Sequence, residues 1–180
     1  MTPYVGDLGD VAWSILRQPN VWVAFALLCV GSMTQFSRTA KAARWPRDRV
    51  YAGRAAAAAL SLALAVTLAR ATAGLSVDWQ GCETGTGLAP DDAEAVLNLV
   101  MLVPWGLAAG YAVRRFWPVL LIGAAASLLI ELTQGLLGNG TCDSGDLVLN
   151  VCGAALGAGL GVVLGNVYGA GPAQTSDRAS

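Results

Sequence analysis

Histidine is missing from this 180-residue chain. Its absence excludes His-based general acid/base chemistry, Ser-His-Asp and Cys-His nucleophiles, and histidine metal sites. Any chemistry must run on carboxylates, amides, hydroxyls, thiols or arginine. Charge is also scarce. Asp, Glu, Lys and Arg make up 13% of the residues, where a soluble domain carries about 25%. So few charges cannot cover the surface of a soluble globular unit, which argues against one. What is present instead is apolar: 55% of the residues are hydrophobic, and 22 are glycine. The glycines follow neither a collagen period nor a Gly/Ser linker pattern, so each is read by position.

A transmembrane helix needs about 20 mostly apolar residues. Five stretches qualify: residues 21–36, 55–77, 95–113, 116–137 and 147–168. The second holds Arg70 near its end, Pro104 and Gly106 interrupt the third, and the fourth contains Glu131. Lys and Arg in the connections set the orientation. Arg38, Lys41, Arg44, Arg47, Arg49 and Arg54 lie between spans one and two, Arg114 and Arg115 between three and four, and Arg178 after span five. The other side carries Arg17 alone, and its acids are Asp7, Asp10, Asp78, Glu83, Asp91, Asp92, Glu94, Asp143 and Asp146. The expected fold is an all-α membrane protein, a bundle of five transmembrane helices with the N-terminus outside and the C-terminus cytoplasmic.

Residues 1–20 are then an outer segment, 21–170 the membrane domain, and 171–180 a small, polar, disordered cytoplasmic tail. No basic region precedes the first apolar core and no small-residue cleavage site follows it, so the start is not a secretory signal. Residues 11–16 either lie along the interface as a short amphipathic piece or extend span one past Arg17. The basic cluster from Arg38 to Arg54 is a topology signal that also contacts anionic lipid. Nucleic acid is not an expected partner, because such binding needs a folded platform with interleaved aromatics.

Of the four cysteines, Cys82 and Cys142 lie in loops that this topology places outside, where disulfides persist. A Cys82–Cys142 disulfide is expected, tying two outer loops across the bundle mouth. Cys29 and Cys152 fall inside helices and read as inert buried thiols.

Ionisable residues inside a span are costly and mark function by default. Ser127, Glu131 and Gln134 share one face of span four at i, i+4 and i+7, with Gly123 extending the stripe. The topology brings Asn98, Glu131, Gln134, Asp143, Asp146 and Asn150 to one depth near the outer face, from three helices. The competing uses are local. Asp143 or Ser144 can cap span five, with Asp146 near its positive end. Asn98 and Asn150 can be interhelical glue. Arg70 either pairs with Glu131 or snorkels to the headgroups. Gly153, Gly157, Gly161, Gly165 and Gly169 recur every fourth residue on span five, a small-xxx-small face suited to close helix packing. The stripe Gly123-Ser127-Glu131 on span four is its expected counterpart, and homodimerisation is the competing use.

Three segments carry a resemblance. Asn98-Leu99-Val100-Met101-Leu102-Val103-Pro104-Trp105-Gly106 is similar to an Asn, four or five apolar residues, Pro, any, Gly segment. Ser127-Leu128-Leu129-Ile130-Glu131-Leu132-Thr133-Gln134 is similar to Ser-x-x-Ile-Glu-x-x-Gln. The stretch from Asp143 through Asp146 and Asn150 to Gly153-Ala154 is similar to Asp-x-x-Asp-x-x-x-Asn-x-x-Gly-Ala. In this order they resemble the VanZ-like family of bacterial membrane proteins, over roughly residues 95–165. The family carries an Arg shortly before the first Asp of the last motif. Here that stretch is Gly138-Asn139-Gly140-Thr141, and Arg70 is the candidate replacement. The resemblance implies a multi-pass protein of the bacterial cytoplasmic membrane with a polar site near the outer face. The family's name comes from a protein linked to resistance to teicoplanin.

Three functions remain open. In the first, the outer site of Asn98, Glu131, Gln134, Asp143, Asp146, Asn150 and Arg70 binds a lipid-linked envelope sugar or a glycopeptide antibiotic, with membrane lipids as further partners. In the second, Glu131 and Asp146 are the acid/base pair of a membrane-embedded enzyme acting on a lipid-linked substrate. In the third, the glycine face makes the chain a structural partner of other membrane proteins. No cofactor is expected, and no recognised spacing supports a metal site.

Overall fold

A computed structural model of the chain describes residues 13–14, 16–68, 82–83, 93–137 and 142–169. The elements are α1 (Pro19–Ala42), α2 (Arg47–Leu68), β1 (Cys82–Glu83), α3 (Ala93–Met101), α4 (Val103–Val113), α5 (Phe116–Leu137), β2 (Cys142–Asp143) and α6 (Ser144–Tyr168). With α3 and α4 counted together as one span, five helices are long and apolar enough to cross a membrane. The chain is thus a multi-pass, all-α membrane protein.

The helix ends depart from the hydropathy windows for identifiable reasons. The first span is not the shortest. It runs on through Arg38 and Lys41, good helix formers whose long stems let the charge leave the apolar layer. Span two starts at Arg47 rather than residue 55 and is described as far as Leu68, so Arg47, Arg49 and Arg54 are helical and the basic connection shrinks to residues 43–46. Arg70, residues 1–12 and the tail 171–180 lie outside the described residues. The segment before span one does not extend it continuously. Gln18 is extended at the N-cap, and Pro19, which has no N–H, opens α1. Span three breaks at Leu102, two residues ahead of Pro104. Pro104 cannot donate a helical hydrogen bond, so α4 restarts with proline in its first turn.

The core is built from small residues. Ala56, Ala63, Ala109, Ala154 and Ala158 pack with Leu102, Trp105 and Val119 into one buried cluster. Helix α4 lies centrally against α6 and α2, α5 covers α6, and α1 packs chiefly on α2. Many large apolar side chains instead face outward: Leu27, Val30, Leu121, Leu129, Leu160 and Val167 are all exposed. This inverted distribution suits a chain whose surroundings are lipid, where packing between small residues brings helices together.

The two ends of the bundle differ. At one end the starts of α1's partner helix α2, the end of α4 and the end of α6 are tied by arginines. Arg49 Nε donates to the Ala112 carbonyl at 2.6 Å, and Arg114 Nη2 donates to the Gly169 carbonyl at 2.6 Å and to Asp48 Oδ2 at 3.5 Å. Arg114 sits at the C-terminal cap of α4 in the left-handed region, at φ 58°. Asp48, which charge sorting by connection overlooks, is its ion-pair partner on this basic end. The opposite end carries β1 and β2 and the start of α6.

Candidate functional site

The glycine face of α6 is the first determinant of the site's shape. Its partner is span three, not span four. A Cβ placed on Gly153, Gly157, Gly161 or Gly165 would strike the backbone of Leu99, Val103, Leu107 or Tyr111 respectively. The contact is reciprocal: Gly106 and Gly110 of α4 lie against the backbone of α6 at Ala154 and Ala158. The pair Gly106-x-x-x-Gly110 is itself a small-xxx-small signal, and the presence of Pro104 two residues earlier disguises it as a helix break. Gly169 lies beyond this face, next to the Arg114 guanidinium. Gly123 of α5 does face α6, but it meets the side chains of Ala154 and Trp105 rather than a glycine. The stripe is therefore used within the chain.

With α3–α4 running parallel to α6 and α5 antiparallel, three helix ends meet. Helix α5 is fixed against the start of α6 by two polar contacts. Ser127 Oγ donates to the Leu147 carbonyl at 3.3 Å, and Glu131 Oε2 accepts from the Asp143 backbone N–H at 3.1 Å. Ser127 and Glu131 are both fully or almost fully buried. The stripe on α5 thus packs on the first turns of α6 and not on its glycine face, the counterpart expected from the sequence.

Asp143 is the N-cap of α6, with Oδ1 accepting from the Gly145 N–H at 2.7 Å. This satisfies one of the orphan donors of the first turn, so of the two uses weighed for Asp143 the structure shows capping. Asp143 and Asp146 are half-buried, and both lie within electrostatic reach of Glu131. Asn98 on α3 and Gln134 on α5 are also half-buried. Among the described residues, no three His, Cys, Asp or Glu side chains gather as a metal ion would require.

Asn150 is placed differently. It is 1% exposed, and its Oδ1 has no hydrogen-bond partner among the described residues. On α6 it stands one helical turn below Asp146. It is flanked by Gly153, which faces Leu99 of α3, and by Leu147, which receives Ser127 of α5. At 100° per residue its side chain points into the seam between α3 and α5. A buried amide oxygen left unpaired costs about 1–3 kcal/mol, and native structures rarely tolerate one without a reason.

At the same end, β1 and β2 pair in parallel, with Cys82 opposite Cys142 and Glu83 opposite Asp143. Cys142 is buried, and the free cysteines among the described residues are Cys29 and Cys152. Neither is a buried core thiol as expected: Cys29 is half-buried and Cys152 exposed toward the lipid side.

The polar contacts among the described residues therefore join α5, β2 and the start of α6. Comparison with known proteins reaches further along the chain. No curated protein and no solved structure matches it. One family model does, described as VanZ/LLP1, and it covers residues 22–165. That match runs from the first span to the last, through the helices that carry Glu131 and Asn150, and by it the chain belongs to the VanZ/LLP1 family.

Proposed function

We propose that this protein sits in a bacterial cytoplasmic membrane with the Glu131 end outward, and that this end binds a lipid-linked envelope sugar or a glycopeptide antibiotic. The observation that carries the reading is the Oδ1 of Asn150, buried and without a hydrogen-bond partner among the described residues, one turn below Asp146 on the helix whose start meets Glu131. An acceptor kept dry and unpaired is satisfied by a ligand that brings a donor, such as a sugar hydroxyl or an amide N–H. Glu131, Asp146, Gln134 and Asn98 supply further acceptors and donors at the same end. Asp143, engaged as a cap, contributes its carboxylate mainly to the field of the site. Outward orientation rests on the basic residues gathered at the opposite end. The link to glycopeptide resistance rests on the family.

The experiment is charge removal with shape retained. Glu131→Gln and Asp146→Asn are introduced into a strain with a teicoplanin-resistance or envelope phenotype, and protein level is followed in the same cells. A binding role predicts partial loss from each single change, with about tenfold weaker function and normal protein level, because a charge-assisted hydrogen bond is replaced by a neutral one. Full activity in both variants would remove the outer site from consideration. A second reading keeps the same site as an enzyme. Its support is the proximity of Asp146 to Glu131, since two carboxylates in unlike surroundings can divide acid and base roles. That reading predicts collapse rather than partial loss in both variants. The third reading, docking of other membrane proteins on the glycine face, loses its basis because that face is occupied by span three.

We propose further that Cys82 and Cys142 form a disulfide. Their residues are register partners, and paired strands stand about 4.8 Å apart, inside the 4.4–6.8 Å separation that a disulfide bridges. Alkylation followed by intact-mass analysis of protein from native membranes checks this. Cys29 and Cys152 are expected to label without reductant, and Cys82 and Cys142 only after reduction. Labelling of all four without reductant would refute the bridge.

A further inference from the structure

At the end of the bundle opposite Glu131, α1 and α2 flank an open groove of about 460 Å³ lined by Met33, Thr34, Ser37, Arg38, Lys41 and Arg54. We infer that this groove is a binding site for the headgroup of an anionic phospholipid. Three cations and two hydroxyls line it, and among the described residues no carboxylate does. Thr34, Ser37, Arg38 and Lys41 follow one another at helical spacing along a single face of α1. Arg54 joins them from α2. It is brought within reach because Gly53, the residue before it, lets the Phe36 ring rest directly on the α2 backbone. None of the three cations takes part in an ion pair among the described residues; the carboxylate nearest in sequence, Asp48, is held by Arg114 instead. Three like charges converging without counter-charge repel one another, so the arrangement is relieved by an anion.

The surroundings identify that anion as a lipid phosphate rather than a free one. The groove lies where α1 leaves its apolar stretch, and one to two turns further into the span Leu27 and Val30 are 71% and 68% exposed. A headgroup phosphate held by Arg38, Lys41 and Arg54 leaves its acyl chains to run along this bare face of α1. Met33 lines the transition between the two. Basic pockets between transmembrane helices take lipid headgroups in this way. Hydroxyls at Thr34 and Ser37 add hydrogen bonding: Thr34 Oγ1 donates to the Val30 carbonyl at 2.6 Å, which leaves its lone pairs free for a glycerol hydroxyl.

Native mass spectrometry of the purified chain tests the site, with phosphatidylglycerol, phosphatidylcholine and inorganic phosphate as separate probes. The expected result is retained phosphatidylglycerol, at least tenfold weaker phosphatidylcholine, and no displacement by equimolar inorganic phosphate. Arg38→Gln/Lys41→Gln/Arg54→Gln is expected to weaken phosphatidylglycerol binding on the order of a hundredfold, at about fivefold per cation. Arg44→Gln/Arg47→Gln/Arg115→Gln removes the same charge from the same end outside the groove and is expected to change binding by less than threefold. Equal losses in the two triples would reduce the effect to diffuse attraction and overturn the site. So would unchanged binding in the groove triple, equal retention of phosphatidylcholine, or displacement by free phosphate. If the groove triple is not monodisperse, Arg54→Gln alone decides, with a fivefold loss expected and none overturning the proposal.

Discussion

Gly157→Leu abolishes the folded bundle, whereas Gly159→Leu two residues along the same helix leaves it intact. At position 157 even a Cβ would strike the Val103 carbonyl and approach the Leu107 N–H and the Gly106 Cα. These are backbone atoms and cannot rotate aside. Accommodating a leucine requires α3 and α4 to move off α6 along their whole length, because Gly153 makes the same contact with α3 above, and Gly161 and Gly165 with α4 below. Overpacking a core typically costs about 1–3 kcal/mol when side chains can adjust. Here only the helices can, so the cost exceeds that range and approaches the whole stability of a small domain. Position 159 has nothing within 4 Å of an added Cβ, and a leucine there extends into lipid at no packing cost. Unfolding in mixed micelles, followed by circular dichroism or thiol accessibility, reads both. A Gly157→Leu variant with wild-type stability would mean that α4 and α6 are not in this contact.

Asn150→Leu separates stability from function in the opposite sense. Leucine has nearly the same shape and no unpaired oxygen. It removes the desolvation penalty of a buried acceptor, and the variant is expected to be as stable as the wild type or more stable by about 1 kcal/mol. If Asn150 is the acceptor for a ligand donor, the same variant loses function by at least tenfold, since an unmade hydrogen bond in a dry site costs about 1.4 kcal/mol or more. Unfolding curves and the phenotype assay on one preparation give both numbers. Lower stability with a parallel fall in function would instead make Asn150 an interhelical tie. The expected divergence is a stability cost retained for function.

Much of the fold was legible because the bilayer is a simple solvent. Apolar runs of about 20 residues report spans, and basic residues sort to one end. The residues of the candidate site were legible too, because Glu131 inside an apolar run is expensive and draws notice. Pairings were harder. The glycine repeat on span five announced a close helix contact, and Gly123-Ser127-Glu131 on span four offered an obvious partner. Span three took that place because Gly106 and Gly110 let two backbones meet, while Gly123 faces side chains. Helix ends were missed for a related reason. Hydropathy falls at the first arginine, but an arginine at the interface keeps its backbone helical while its charge reaches water.

Composition and the placement of charge by themselves determined that this is an all-α membrane protein with one basic end and one acidic end. They also marked Glu131, Asp146 and Asn150 as residues of interest. Tertiary structure decided which of these are already spoken for. Asp143 spends its carboxylate on the start of α6, Glu131 takes the Asp143 N–H, and Asn150 is buried with an acceptor unused among the described residues. The same holds for Arg38, Lys41 and Arg54, dispersed basic residues in the sequence and one groove in the structure. The physical reason is common to both cases. Residue type and spacing fix depth in the membrane and face on a helix, but whether a polar group finds a partner depends on which helix stands opposite. That is settled by close packing of backbones at Gly106, Gly110 and Gly157, where fit decides and hydropathy carries no information.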